Sequence, residues 1–168
     1  MKRFLRSFFL TPRFFLAGWL LVGLYGLAFV WPVLLLPANV LVALLALVTL
    51  VDTFLLYRVR NGISAARTTL DKWSNGDENP VSIEVTSRYP QRMDVRVLDE
   101  LPFQFQKRDL DLQGSIDANG TRSFHYMVRP FERGVHAYGA INVLVRSALG
   151  LVERRYRQEQ GRAVPVYP

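Results

Sequence analysis

"FFLAGWLLVGLYGLAFVWPVLLLPANVLVALLALVTLV", Phe14 to Val51, runs for 38 residues without a charged side chain. As a single helix rising ~1.5 Å per residue it would be ~57 Å long, against a hydrocarbon core of ~30 Å. To match a bilayer the run must fold back once. Trp31-Pro32 and Pro37-Ala38-Asn39 mark the place, because proline removes a backbone donor and clashes with the preceding helical turn. The pattern predicts one helix over 14–31 and a second over 40–57, each near the ~17–25 residues that a span requires. Trp19, Tyr25, Trp31 and Tyr57 carry the rings favoured at a membrane interface. A secretory signal fits poorly, since its apolar region is typically ~7–15 residues and ends at a small-residue cleavage site, which is not found here.

Charge flanks this run on both sides. Lys2, Arg3, Arg6 and Arg13 precede it, Arg58, Arg60 and Arg67 follow it, and residues 32–39 between the spans carry none. The positive-inside rule then predicts both chain ends on the cytoplasmic side. Residues 1–60 hold six basic side chains against Asp52 alone, a net +5, so most of the total of +7 sits beside the apolar run. The remaining 108 residues hold 15 basic and 13 acidic side chains, a net +2. A nucleic-acid binder concentrates its charge in the soluble part. Here the expected partner of the basic charge is anionic membrane lipid, and no nucleic acid. Residues 1–13 form a basic cytoplasmic flank, and "MKRFLRSFFL" within it reads equally as a plain flank or as a short interfacial helix.

Beyond Arg58 the period changes. Val81, Ile83 and Val85 alternate with polar residues, as do Met93, Val95 and Val97, then Phe124, Tyr126 and Val128, then Ile141, Val143 and Val145. Such short alternating runs between turn residues predict half-buried antiparallel strands. Asn119-Gly120 is a hairpin signal, because a type I′ turn needs positive φ at both central residues. The expected fold is an α + β membrane protein, in which a transmembrane helical hairpin precedes an antiparallel immunoglobulin-like β-sandwich. A linker over 58–66 separates the hairpin from a sandwich over 67–168.

Candidate chemistry is thin. The chain has no cysteine, which excludes disulfides, thiol nucleophiles and cysteine-based zinc sites. His125 and His136 stand eleven apart, matching no familiar ligand spacing, and read as ordinary surface or rim histidines. Asp99-Glu100 and Asp109 with Asp111 are paired carboxylates of the kind used in acid–base catalysis, yet they fall at a strand end and on a solvated strand face. Phosphate-binding and nucleophile-elbow glycine motifs are missing from the sequence. "WSNGDENPVSIEV", Trp73 to Val85, clusters Asp77, Glu78 and Asn79, but its glycine precedes the acids, contrary to a calcium loop. Asn75-Gly76 and Pro80 make it a turn that feeds a strand. Asp52, at the end of the second apolar run, is a functional candidate by default, although nearby Arg58 and Arg60 favour an interfacial position.

"SNGDENPVSIEV", "VRVLDELP", "RGVHAYGAINVLVRSALGLVERR" and "VYP", with "LTPRFFL" before the apolar run, together resemble the N-terminal half of bacterial DUF58 membrane proteins. The resemblance spans essentially the whole chain. It implies a two-span anchor in the bacterial inner membrane, a cytoplasmic β-sandwich, and then a von Willebrand factor A-like domain. It also implies a system with MoxR-type AAA+ ATPases and von Willebrand factor A proteins as partners. His136 stands where the family usually has an aromatic residue. The expected function is a non-enzymatic docking module without cofactor, whose polar turns at Asp77 and Glu78 and at Asp99 and Glu100 face partners. The rivals are a metal-dependent module using His125, His136 and nearby carboxylates, and a lipid-binding or oligomerising hairpin using Gly18, Gly23 and Gly26.

Overall fold

A computed structural model of the chain describes residues 7–102, 110–161 and 163–167, the side chain of Tyr167 excepted. Lys2, Arg3, Arg6 and Asp109 lie outside the described residues. The protein is α + β, with N-terminal helices and antiparallel sheets, and divides into two compact units. One comprises Met1–Arg60 with Arg146–Arg154, the other Asn61–Val145 with Arg155–Pro168. The units interleave along the chain, so the expected boundary at residue 67 is corrected. Residues 146–154, nominally inside the sandwich, belong with the helices.

In the first unit, strand β1 (Phe8–Leu10) precedes helix α1 (Pro12–Val30). The interfacial-helix reading of the N-terminus therefore fails at these residues. They pair antiparallel with the start of strand β10 (Val152–Gln158), Phe8 opposite Arg154 and Leu10 opposite Val152. Pro12 opens α1, where its missing N–H costs nothing. Trp31, held extended by the following Pro32, closes it. A 3-10 turn (Pro32–Leu34) leads into helix α2 (Leu35–Tyr57). This helix starts five residues earlier than expected because Pro37 falls in its first turn, where no backbone donor is needed. The Tyr25 hydroxyl donates to Asn39 Oδ1 at 2.7 Å, joining the two helices near their turn. Both helices are long and apolar enough to cross a membrane, and protein buries only 6% of an 18-residue apolar stretch in each.

The second unit is built from β2 (Ile63–Thr69), β3 (Trp73–Ser74), β4 (Asn79–Ser87), β5 (Met93–Asp99), β6 (Asp111–Ile116), β7 (Thr121–Val128), β8 (Gly134–Ala137), β9 (Ile141–Arg146), the end of β10, and β11 (Ala163–Tyr167). One sheet is ordered β2-β4-β7, with Ala65 opposite Val85 and Ile83 opposite Phe124. Another runs β10-β9-β5-β6, and a third β3-β11-β8. The first two share a core, because alternation sends Val81, Ile83 and Val85 inward from one and Val95, Val97, Ile141 and Val143 from the other. Pro80 is tolerated near the start of β4, and the turn before it is closed by the Asn79 side chain. β2 begins at Ile63, so the expected linker shrinks to a few residues.

Asn119-Gly120 is a turn but not a hairpin. Only Asn119 has positive φ, at 50°, and Gly120 N–H donates back to Asp117 O at 3.0 Å. β6 pairs with β5, while β7 pairs with β4, so the turn carries the chain from one sheet to the other. A two-residue signal specifies the local bend and not the partner of the strand that leaves it.

Candidate functional site

The carboxylates expected to form one docking corner part company. The side chain of Asp99, the last residue of β5, is buried completely, which overturns its assignment to an exposed surface. Arg67 of β2 grips it as a fork, Nε donating to Oδ2 at 3.0 Å and Nη2 to Oδ1. The same guanidinium donates to the Gln160 carbonyl at 3.0 Å and the Gly139 carbonyl at 3.2 Å, and stacks 4.2 Å from the Tyr138 ring centre. Tyr126 Oη adds a hydrogen bond to Asp99 Oδ2. Burial, with the Asp99 charge next, raises the Tyr126 and Tyr138 hydroxyls far above the usual phenol range, so both stay neutral. Arg67, read from sequence as a flanking charge, is therefore an internal clamp between the two facing sheets. The Arg67 and Asp99 side chains are 1% and 0% exposed.

Glu100 remains half exposed. Its Oε1 accepts from Asn142 Nδ2 at 2.8 Å and its Oε2 from the Ala140 N–H at 3.0 Å. The Asn142 hydrogen bond outweighs burial and holds the Glu100 carboxyl below its usual range. Asn142 Oδ1 in turn accepts two donors from Arg155. Gly139 is required here by space, since an added Cβ would lie 2.7 Å from the Glu100 side chain.

Asp77 and Glu78 are exposed on the turn between β3 and β4, which hydrogen bonds hold on both sides. Asn79 Nδ2 donates to the Asp77 carbonyl at 3.0 Å, and Gly76, at φ 83°, donates its N–H to Pro130 O. His125 is exposed on β7. His136 is buried at 5% exposure, Nε2 lying 3.0 Å from Glu132 O, which corrects its reading as a surface histidine. Among the described residues, no three His, Asp or Glu side chains come together as a metal site.

In the first unit, Asp52 is fully buried against protein. Oδ2 accepts the backbone N–H groups of Leu151 and Val152, each at 2.9 Å, and Oδ1 accepts the Ser147 hydroxyl. Thr11 grips the same loop, donating from Oγ1 to Gly150 O at 2.7 Å and from its N–H to Leu151 O at 3.0 Å. Arg154 caps the end of α2 through the carbonyls of Leu56 and Val59, 2.6 and 2.9 Å away. Asp52 alone was visible beforehand, as a charge breaking an apolar run. Its loop partners lie 95–100 residues away, with no local signal.

No family model matches the chain, and no curated protein does. Among solved structures it is similar to the ASH/PapD-like domain 7 of human CEP192, at 10% identity and TM-score 0.46, over 64% of this chain and 86% of that one. The CARDB domain of PF1109 from Pyrococcus furiosus, solved with di-metal ions, gives 13% identity and TM-score 0.41, over 62% and 87%. The C-terminal domain of wzt gives 8% and 0.41, over 65% and 75%.

Proposed function

We propose that this chain is a membrane-anchored, non-catalytic module in which an immunoglobulin-like sandwich docks protein partners. The observation that carries the reading is the state of α1 and α2. Their large apolar side chains face away from protein, Phe29 at 91% exposure and Trp19 at 73%. The core helix of a soluble protein buries such residues, and lipid is the medium in which leaving them uncovered is favourable. Strand order supports the sandwich. Taken as A, B, C, C′, E, F and G, strands β2, β4, β5, β6, β7, β9 and β10 form A-B-E and G-F-C-C′ sheets. The ionic groups inside that domain are spent on holding it together. Its exposed polar turn at Asp77 and Glu78, and the rim at Glu100, are the surfaces offered to partners.

By its resemblance to DUF58 proteins, the partners are a MoxR-type AAA+ ATPase and von Willebrand factor A proteins, with both chain ends on the cytoplasmic side of a bacterial inner membrane. Arg13, Arg58 and Arg60 at the helix ends support that orientation. The test has two arms. A protease site inserted after Gly120 is cut from the cytoplasmic side only, and periplasmic cutting reverses the topology. Photo-crosslinkers at Asp77 and Glu78 in native membranes capture the ATPase or a von Willebrand factor A protein, and capture of neither overturns the partner assignment.

A further inference from the structure

One surface of the sandwich unit is left with unspent donors. A cleft of about 480 Å³ is lined by Asn61, Ile63, Ser64, Arg88, Tyr156, Arg157 and Gln158. Its floor is fixed, because the buried Tyr89 and Tyr156 hydroxyls bond each other at 2.6 Å. Gly62 lets the chain close over that pair, where a Cβ would fall 2.6 Å from the Tyr89 ring. The Arg88 N–H donates to Gly62 O at 2.8 Å, which sets the arginine at the rim.

Among the described residues, two guanidinium groups line this cleft and no acidic residue does. Among the described residues, the side chains of Arg88, Asn61 and Ser64 make no hydrogen bond or ion pair. Arg157 has Glu100 at 3.9 Å and Glu159 at 3.8 Å, both beyond hydrogen-bond reach. One arginine fork satisfies a carboxylate. Two arginines with a hydroxyl and an amide call for an anion bearing more oxygens, and arginine forks match phosphate geometry. The volume also falls in the ~300–1,000 Å³ of small-ligand pockets, leaving room beyond the anion itself.

We propose that this cleft binds a phosphate group carried on a small organic moiety, either a free phosphate ester or the headgroup of an anionic phospholipid. The whole chain in dodecyl maltoside micelles, free of phosphate, is titrated calorimetrically with glycerol 3-phosphate and, separately, with phosphatidylglycerol in mixed micelles. Saturable binding of the soluble ester supports the site and identifies a free ligand. Binding of phosphatidylglycerol alone supports it and identifies a lipid headgroup. In either case Arg88→Ala with Arg157→Ala weakens binding by about tenfold or more, Arg88→Lys with Arg157→Lys weakens it less, and Arg133→Ala, at an exposed arginine between β7 and β8 that does not line the cleft, changes it less than about twofold. Melting temperatures of the variants check that the fold is intact, and the lysine pair keeps the test decisive if the alanine pair lowers them. Binding of neither probe, or equal binding by the folded double variants, overturns the proposal.

Discussion

Two buried aspartates, one in each unit, are met in opposite ways. Asp99 faces a full positive charge, the Arg67 fork, with a phenol beside it. Asp52 faces neutral donors, two backbone N–H groups and a hydroxyl. In the sandwich unit, the counter-charge comes from a strand that must be in register to deliver it, Arg67 opposite Ile83. In the helical unit, the donors belong to a loop, so the carboxylate shapes the backbone and does not neutralise a partner. Asp99 therefore specifies which sheets face each other, and Asp52 specifies how residues 147–152 fold.

Breaking the ion pair has the largest expected effect. Arg67→Met leaves Asp99 buried without its counter-charge and costs about 3–5 kcal/mol. Arg67→Met with Asp99→Leu recovers most of that loss, because the unpaired charge goes with its partner. Urea denaturation of the whole chain in micelles, followed by tyrosine and tryptophan fluorescence, measures both. Equal losses in the single and double variants make the pair a packing element only. Asp52→Asn comes next, at about 1.5–3 kcal/mol for lost charge-assisted hydrogen bonds. Its effect is local. The Leu151 and Val152 amides exchange faster with solvent, while exchange at Val85 and Val143 is unchanged. Exchange that quickens equally at all four would erase the distinction between a loop former and a global clamp.

The contrast also explains what could be read in advance. The helices and the strands around Ile83, Val95, Phe124 and Val143 were legible, because burial follows a period of a few residues. The turn before Pro80 was legible for the same reason, its chemistry lying within five residues. Arg67, Asp99 and His136 were misplaced, since a polar residue at an inward position looks like one at a strand edge until its partner is known. Arg67 and Asp99 are 32 residues apart. Asp52 drew attention as a charge in an apolar run, but nothing near it named "SALGL" as its partner. Asn119-Gly120 shows the reverse error, a correct local bend given the wrong strand pairing.

Smaller changes sharpen the comparison. Gly150 has φ 66°, and the loop that Asp52 holds needs that conformation. Gly150→Ala costs about 1–2 kcal/mol from the left-handed backbone. The added methyl also meets the tip of Arg13 at 2.7 Å, which a long side chain relieves by moving. A melting temperature unchanged by this substitution would show that the loop accepts a second conformation.

Glu100, Asp99's neighbour, gives the smallest effect and a pH signature. Its folded-state carboxyl lies below the ordinary value of 4.5, chiefly through Asn142. A carboxyl lowered by folding stabilises fully above its unfolded value, and that share is lost as pH falls through the folded one. Glu100→Gln keeps one acceptor, removes the titration, and flattens this part of the stability profile below pH ~4.5. Because Glu100 is half exposed, solvent screening keeps the difference small. Thermal melts of the two proteins from pH 3 to pH 7 test it. A gap constant across that range would assign Glu100 a purely steric role at Gly139, and a gap that closes on acidification marks the rim carboxylate as the chargeable counterpart of the sealed Asp99.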